Sequence, residues 1–311
     1  VTVGLTRPAR RALLALLSIL VTPLPAHAQE LEPRAYSNTP TGLNFLLAGY
    51  SYTQGNLAFD PSVPIENADL HTNSAVLAWA RSLGVRGRSA KVDVVVPYTW
   101  LSGQALFQGE PRQREVAGFA DPRFRYSVNL YGAPALSLKE FSGYRQDIII
   151  GASLQVSVPV GQYDDTKLVN IGTNRWAFKP ELGVSKSWGA WTVDLAASVA
   201  LYTDNTDFLG GGTLSQDPLY AVQGHIVRGL KSGIWLALDG TYYWGGETTV
   251  NGVTGDTLRR NTRVGLTVAL PVDLRNSVKV YGSTGVSSRT GDEYDGFGIA
   301  WQYRWGRDFP R

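Results

Sequence analysis

Residues 190–203 read Ala190-Trp191-Thr192-Val193-Asp194-Leu195-Ala196-Ala197-Ser198-Val199-Ala200-Leu201-Tyr202-Thr203. In an extended chain successive side chains point to opposite faces. The stretch therefore sorts into one row of Trp191, Val193, Leu195, Ala197, Val199 and Leu201, and a second of Thr192, Asp194, Ala196, Ser198, Ala200 and Tyr202. The first row is apolar and the second is polar or small, a period of two that no helix satisfies. The same division recurs in 146–158, where Ile148, Ile150, Ala152, Leu154, Val156 and Val158 alternate with Asp147, Gly151, Ser153, Gln155 and Ser157. It returns in 259–270, with Val264, Leu266, Val268 and Leu270 set against Arg263 and Thr267.

Working outward from these three segments, two-residue alternation punctuated by Gly, Asn, Asp and Pro fills the chain after Gly42. It predicts twelve strands: 42–53, 71–83, 89–101, 118–130, 146–158, 174–187, 190–203, 218–228, 233–244, 259–270, 278–287 and 294–305. Each is about as long as the ten or so residues a tilted membrane strand needs. The connections alternate long and short, as in outer-membrane barrels with long external loops and short periplasmic turns. Segment 131–145 breaks that order, being long for a periplasmic turn, and leaves room for a short helix. The facing of 42–53 and 71–83 is not fixed by the pattern.

Alternation alone also fits a soluble β-sandwich. Aromatic residues decide for the membrane: Tyr50, Tyr52, Trp100, Trp176, Trp188, Trp191, Tyr242, Trp244, Trp301 and Trp305 gather at strand ends, where indole and phenol rings settle at the headgroup level. Gly151, Gly183, Gly265 and Gly298 fall on the non-lipid face, which suits a curved closed wall. The expected fold is all-β, a transmembrane antiparallel up-and-down barrel of about twelve strands.

The beginning of the chain reads as an export signal. Arg7, Arg10 and Arg11 precede an apolar run from Ala12 to Val21, broken by Pro23 and Pro25 and followed by Ala26-His27-Ala28. The run is too short to span a bilayer as a helix, and small-x-small is a cleavage pattern. Residues 1–28 are thus expected to be removed before Gln29, 29–41 to form a periplasmic leader, 42–305 the barrel and 306–311 a tail. Of the 29 Lys and Arg, three lie in the signal, and without them the basic residues balance the 26 acidic ones. A near-neutral chain offers no electrostatic support for a nucleic-acid partner. There is no cysteine, which removes disulfides, thiolate metal sites and Cys nucleophiles.

At 159–183 the residues are Pro159-Val160-Gly161-Gln162-Tyr163, then Leu168-Val169-Asn170-Ile171-Gly172-Thr173-Asn174-Arg175-Trp176, then Lys179-Pro180-Glu181-Leu182-Gly183. This block resembles the outer-membrane family of the meta-pathway of phenol degradation, and the likeness extends over roughly 140–305. Where that family carries a Gln-x-Thr-Asp-like stretch after an aromatic strand end, this chain has Trp244-Gly245-Gly246-Glu247-Thr248. The resemblance implies an outer-membrane location, a barrel fold and transport of small solutes, aromatic ones among them.

A channel needs polar groups aimed into its lumen, because bare apolar walls dewet. With the apolar rows on lipid, Asp93, Arg123, Arg125, Lys179, Glu181, Asp194, Asp239 and Arg263 are the pore-lining candidates. Both signs of charge are present, so they either set a transverse field or pair off and plug the lumen; a plugged barrel would act through its external loops. The expected partners are outer-membrane lipid, lipopolysaccharide and a small-molecule solute. No cofactor or resident metal is called for. Acidic stretches Asp164-Asp165 and Asp292-Glu293-Tyr294-Asp295 read as solvated turns, and Gly210-Gly211-Gly212 as a flexible loop. Outside the signal only His71 and His225 offer imidazole bases, neither in a hydrolase motif, so no enzymatic activity is expected. His71-Thr72-Asn73-Ser74 holds the residue types of a barrel phospholipase, yet adjacent strand residues point to opposite faces.

Overall fold

A computed structural model describes residues 32–56, 65–107, 110–291 and 293–306 of the chain. The expected signal, 1–28, and tail residues 307–311 lie outside the described residues. The strands, in chain order, are β1 (Leu43–Asn56), β2 (Ile65–Val85), β3 (Arg88–Phe107), β4 (Glu110–Phe119), β5 (Arg123–Tyr131), β6 (Ile148–Ser157), β7 (Ala177–Trp188), β8 (Trp191–Tyr202) and β9 (Asn205–Phe208). They continue with β10 (Gly212–Gln216), β11 (Leu219–Gly229), β12 (Trp235–Gly245), β13 (Thr248–Val250), β14 (Val253–Thr254), β15 (Arg259–Pro271), β16 (Asn276–Ser287) and β17 (Glu293–Gly306).

Closure follows from the pairing. β1 pairs with β17 from Leu43↔Gly306 to Asn56↔Glu293 and with β2 on its other edge, β2 pairs with β3, and the remaining wall strands follow antiparallel back to β17. β4 and β5 are two pieces of one wall strand, since both lie antiparallel to β3 and are separated only at Ala120-Asp121-Pro122. The wall therefore has twelve strands and no free edge. A closed sheet satisfies every backbone group without water, which is what hydrocarbon demands. No helix among the described residues is long and apolar enough to cross a membrane.

The two faces separate as the alternation requires. Leu77, Leu182, Leu195, Leu238 and Leu266 are each more than half exposed, although a soluble protein would bury them. Glu181, Ser185, Asp194, Asp239, Arg263 and Thr267, on the opposite rows of the same strands, are buried. Stacked aromatics band the strand ends, as in Trp176 with Phe178, Tyr220 with Trp244, and Tyr303 with both Trp301 and Trp305. β1 and β2 acquire a facing: Tyr50 and Leu77 are exposed on the outside, whereas Ser51, Thr53, Thr72 and Ser82 are buried inside.

Two features depart from the sequence expectation. Segment 102–117, read as a loop, continues the ladder as a β3–β4 hairpin from Tyr98↔Phe119 to Phe107↔Glu110. Its residues mix polar and apolar side chains on both faces, so the binary pattern fades while the backbone pairing goes on. Loops 204–217 and 245–258 likewise fold into a separate four-stranded sheet, ordered β14-β13-β10-β9. The long 131–145 connection does hold a single helical turn, Leu138–Phe141, with a Ser137–Glu140 capping box.

Candidate functional site

The inner wall carries an arc of mostly basic character followed by an acidic one. Lys91 and Asp93 on β3 and Arg123 and Arg125 on β5 form the first, with the Asp93↔Arg125 cross-strand pair joined by an Nε–Oδ1 bond of 3.0 Å. Glu181 on β7, Asp194 on β8 and Asp239 on β12 form the second, all buried. Lys179 lies on the same inward row as Glu181, and Arg263 is buried on β15 with its guanidinium 3.8 Å from the centre of the Tyr294 ring. The eight candidates thus share the inner face, but they do not converge on a single point.

What joins the two arcs is the leader. Residues 32–41 fold back into the barrel at the short-turn end, anchored where Thr41 N–H donates to Leu136 O at 2.8 Å and Asn38 Nδ2 donates to Pro134 O at 3.1 Å. From there the leader reaches both arcs. Its acid meets the basic arc, as Arg125 donates to Glu32, and Lys91 Nζ donates to Ala35 O. On the acidic side, Arg34 N–H donates to Asp194 Oδ2 at 2.9 Å and Tyr36 Oη donates to Glu181 Oε1 at 2.7 Å. Gln223 Nε2 donates to the other oxygen of Glu181, at 2.9 Å.

The Tyr36 seat depends on two glycines that face each other across β6 and β7, Gly151↔Gly183. A Cβ on Gly151 would stand 2.2 Å from Tyr36 Cδ1, and one on Gly183 2.1 Å from Cε2. Only a bare backbone lets the ring lie this close to the wall. Ile149, Ala133 and Ala196 complete the seat, and Tyr36 is 4% exposed.

At the long-loop end a second segment turns inward. The loop 158–176 places Val169 among Ala68, Leu70 and Leu101, with Leu168 bridging to Phe208 and Leu214 of the outer sheet. Arg114 Nε donates to Val169 O at 3.0 Å. Asp121, at the β4–β5 break, latches the loop by accepting from Gly161 N at 2.9 Å, Thr173 N at 2.8 Å and Thr173 Oγ1 at 2.7 Å. The lumen therefore has an apolar constriction towards the long loops and a charged one, filled by the leader, towards the short turns. Because one carboxylate accepts three bonds, Asp121→Ala should cost about 2–3 kcal/mol of loop docking. Trypsin cleavage after Lys167 in proteoliposomes should speed up accordingly; an unchanged rate would remove Asp121 as the latch.

Of the two imidazoles among the described residues, His225 is the one built into the inner wall. His225 pairs across the ladder with both Asp194 and Asp239, its Nδ1 lies 2.7 Å from Asp239 Oδ1, and Thr267 Oγ1 donates to Asp239 Oδ2 at 2.8 Å. It is a buried member of the acidic arc. His71 instead meets Tyr52 Oη through Nδ1 at 3.0 Å, while Thr72 faces inward to Thr53 and Asn73 faces Tyr50. Residues 71–74 are split between faces, as alternation requires. Among the described residues no three or more His, Cys, Asp or Glu side chains are arranged so that they could hold a metal ion.

The profile of the family described as "Putative MetA-pathway of phenol degradation" matches residues 41–303. Among solved structures, the chain resembles an outer membrane channel from Pseudomonas putida F1, at 18% identity and a TM-score of 0.76, over 89% of this chain and 100% of that one. It also resembles the transport unit of the autotransporter AIDA-I from Escherichia coli, at 8% identity and a TM-score of 0.52, over 89% of this chain and 94% of that one. At these identities the likeness speaks for the fold. No curated protein matches the chain significantly.

Proposed function

Because this chain belongs to the family described as "Putative MetA-pathway of phenol degradation", we propose that it is an outer-membrane channel for the passive uptake of small solutes, aromatic ones among them. The observation that carries this reading is the inner wall: a closed, lipid-facing cylinder lined with Asp93, Arg125, Glu181, Asp194 and Asp239, and occupied by a leader that is joined to the wall covalently at β1 and otherwise seated by hydrogen bonds and packing. Wall side chains fill a barrel of about eight strands, whereas twelve strands enclose a wider lumen. Here a separate segment fills it, and a separate segment can move. Outer-leaflet lipopolysaccharide meets the aromatic girdle at the long-loop end, and the mechanism needs no catalytic group. The preference for aromatic solutes draws on the family's description.

Planar-bilayer conductance and liposome flux of small aromatic acids test the reading. Measurable conductance and saturable flux are expected, and the absence of both would refute it. The pH response is constrained by the leader. The Arg125 guanidinium beside Glu32 holds that carboxyl well below the usual carboxylate range. With the docked pKa depressed, this contact is fully present above the ordinary carboxylate value and is lost only as pH falls through the depressed one. Conductance should therefore stay flat from about pH 8 down to about pH 5; a rise within that window would show that the Glu32–Arg125 pair does not hold the leader in place.

A second reading, a closed barrel acting through its external loops, is favoured by the four-stranded sheet those loops build. Deleting 204–217 removes β9 and β10, and unchanged surface binding by the deleted protein would count against it.

A further inference from the structure

Arg175 stands immediately before β7 on that strand's inward row, since Trp176 and Phe178 are exposed on the outer face. Its side chain is 4% exposed. Nη2 donates to Gln216 Oε1 at 2.6 Å, and the guanidinium lies 4.8 Å from the centre of the Tyr202 ring. Among the described residues, Nε and Nη1 have no hydrogen-bond partner. Arg125, further down the lumen, is by contrast met by both Asp93 and Glu32. A guanidinium taken out of water with two of its three nitrogens unmet is costly, and the cost falls when an anion completes it.

The surroundings indicate what kind of anion. The inward loop and β9 form a cleft lined by Tyr163, Leu168, Ile171 and Phe208 together with Asn170 and Thr173. Its wall is tied to the Arg175 segment, because Thr173 Oγ1 donates to Arg175 O at 3.3 Å, Asn174 Nδ2 to Asn205 Oδ1 at 2.9 Å, and Asn205 Nδ2 to Tyr163 Oη at 2.7 Å. A planar fork that accepts carboxylates edge-on thus lies over the face of Tyr202, and its own main-chain carbonyl is tied to the wall of the apolar cleft.

We propose that Arg175 anchors a binding site for the carboxylate of a small aromatic or amphiphilic acid, whose apolar part lies against Tyr202 and the cleft beneath the inward loop. The site takes its transport role from the channel reading, but its occupancy is an equilibrium property that can be measured without a membrane.

The full chain in detergent is titrated calorimetrically with sodium benzoate, with benzamide as an uncharged counterpart and with inorganic phosphate. Saturable benzoate binding is expected, weaker by about tenfold or more for benzamide and for Arg175→Gln, with Arg175→Lys in between. Heat-resistant migration in gels verifies that each variant is folded. Should Arg175→Gln fail that check, the benzoate-to-benzamide ratio of the unsubstituted protein decides, together with weaker binding of both probes in Tyr202→Leu. Equal binding of benzamide, an unaltered Arg175→Gln, or no saturable benzoate binding would overturn the proposal. Phosphate competing as well as benzoate would overturn it too, leaving a plain anion site. Benzoate binding without liposome flux would uphold this site and defeat the channel reading, and flux without binding would do the reverse.

Discussion

Leu182→Arg is expected to destabilise the folded, heat-resistant form in lipid by about 2–4 kcal/mol, while Glu181→Gln one residue away folds almost normally. Leu182 is 62% exposed in the middle of β7, between Ala152 on β6 and Ala197 on β8. If that face touches hydrocarbon, an arginine near the midplane costs about 2–4 kcal/mol, a large share of the roughly 5–15 kcal/mol that holds a typical domain folded. Glu181 points the other way, into the lumen, where it accepts from Tyr36 and Gln223; a Gln there keeps one acceptor and stays off the lipid. Urea titrations of folding into phosphocholine vesicles measure the difference. A similar small shift for both variants would mean that Leu182 does not face lipid.

Tyr36→Ala is expected to raise single-channel conductance and liposome flux. The substitution removes a buried ring and its hydrogen bond to Glu181, a loss of about 3 kcal/mol by analogy with core aromatic truncations. Since about 1.4 kcal/mol is tenfold in an equilibrium constant, the ratio of seated to released leader should fall by roughly two powers of ten. Tyr36→Phe, which keeps the ring, should lose only about 1 kcal/mol and stay near the parent conductance. Gly183→Val approaches the same state from the wall, because its Cβ would occupy the place of the ring. Unchanged conductance in both Tyr36→Ala and Gly183→Val would show that the leader does not obstruct the path.

How much of this could be read in the sequence varies with what each strand faces. β6, β8 and β15 were legible because one face meets lipid and the other meets polar contents, so alternation is clean. β1 and β2 were not, because their inward rows also hold apolar residues, Phe45 and Leu47 on one and Val76 and Ala78 on the other. The β3–β4 hairpin escaped because polar and apolar residues mix on both sides of a ladder that continues beyond the membrane. The inner-face residues followed from parity alone, but their pairing did not. Asp93 with Arg125 is a register fact, and Tyr36 with Glu181 joins positions 145 residues apart. Gly151 and Gly183 read in the sequence as marks of a curved closed wall; that they face each other and seat the leader's own tyrosine is a long-range contact with no local signature. Arg175 stood in plain view in the Asn174-Arg175-Trp176 run, and what sets it apart is its burial with two nitrogens unmet among the described residues.

Since the chain has no cysteine, single cysteines can be placed one at a time from Trp191 to Tyr202, spin-labelled, and tested in vesicles for collision with oxygen and with a water-soluble nickel chelate. Labels at 193, 195, 197 and 199 should favour oxygen, those at 192, 194, 196 and 198 should not, and the preference should reverse at every step. A profile that is flat, or that repeats every three to four residues, would contradict a barrel wall with lipid on one side and a polar interior on the other.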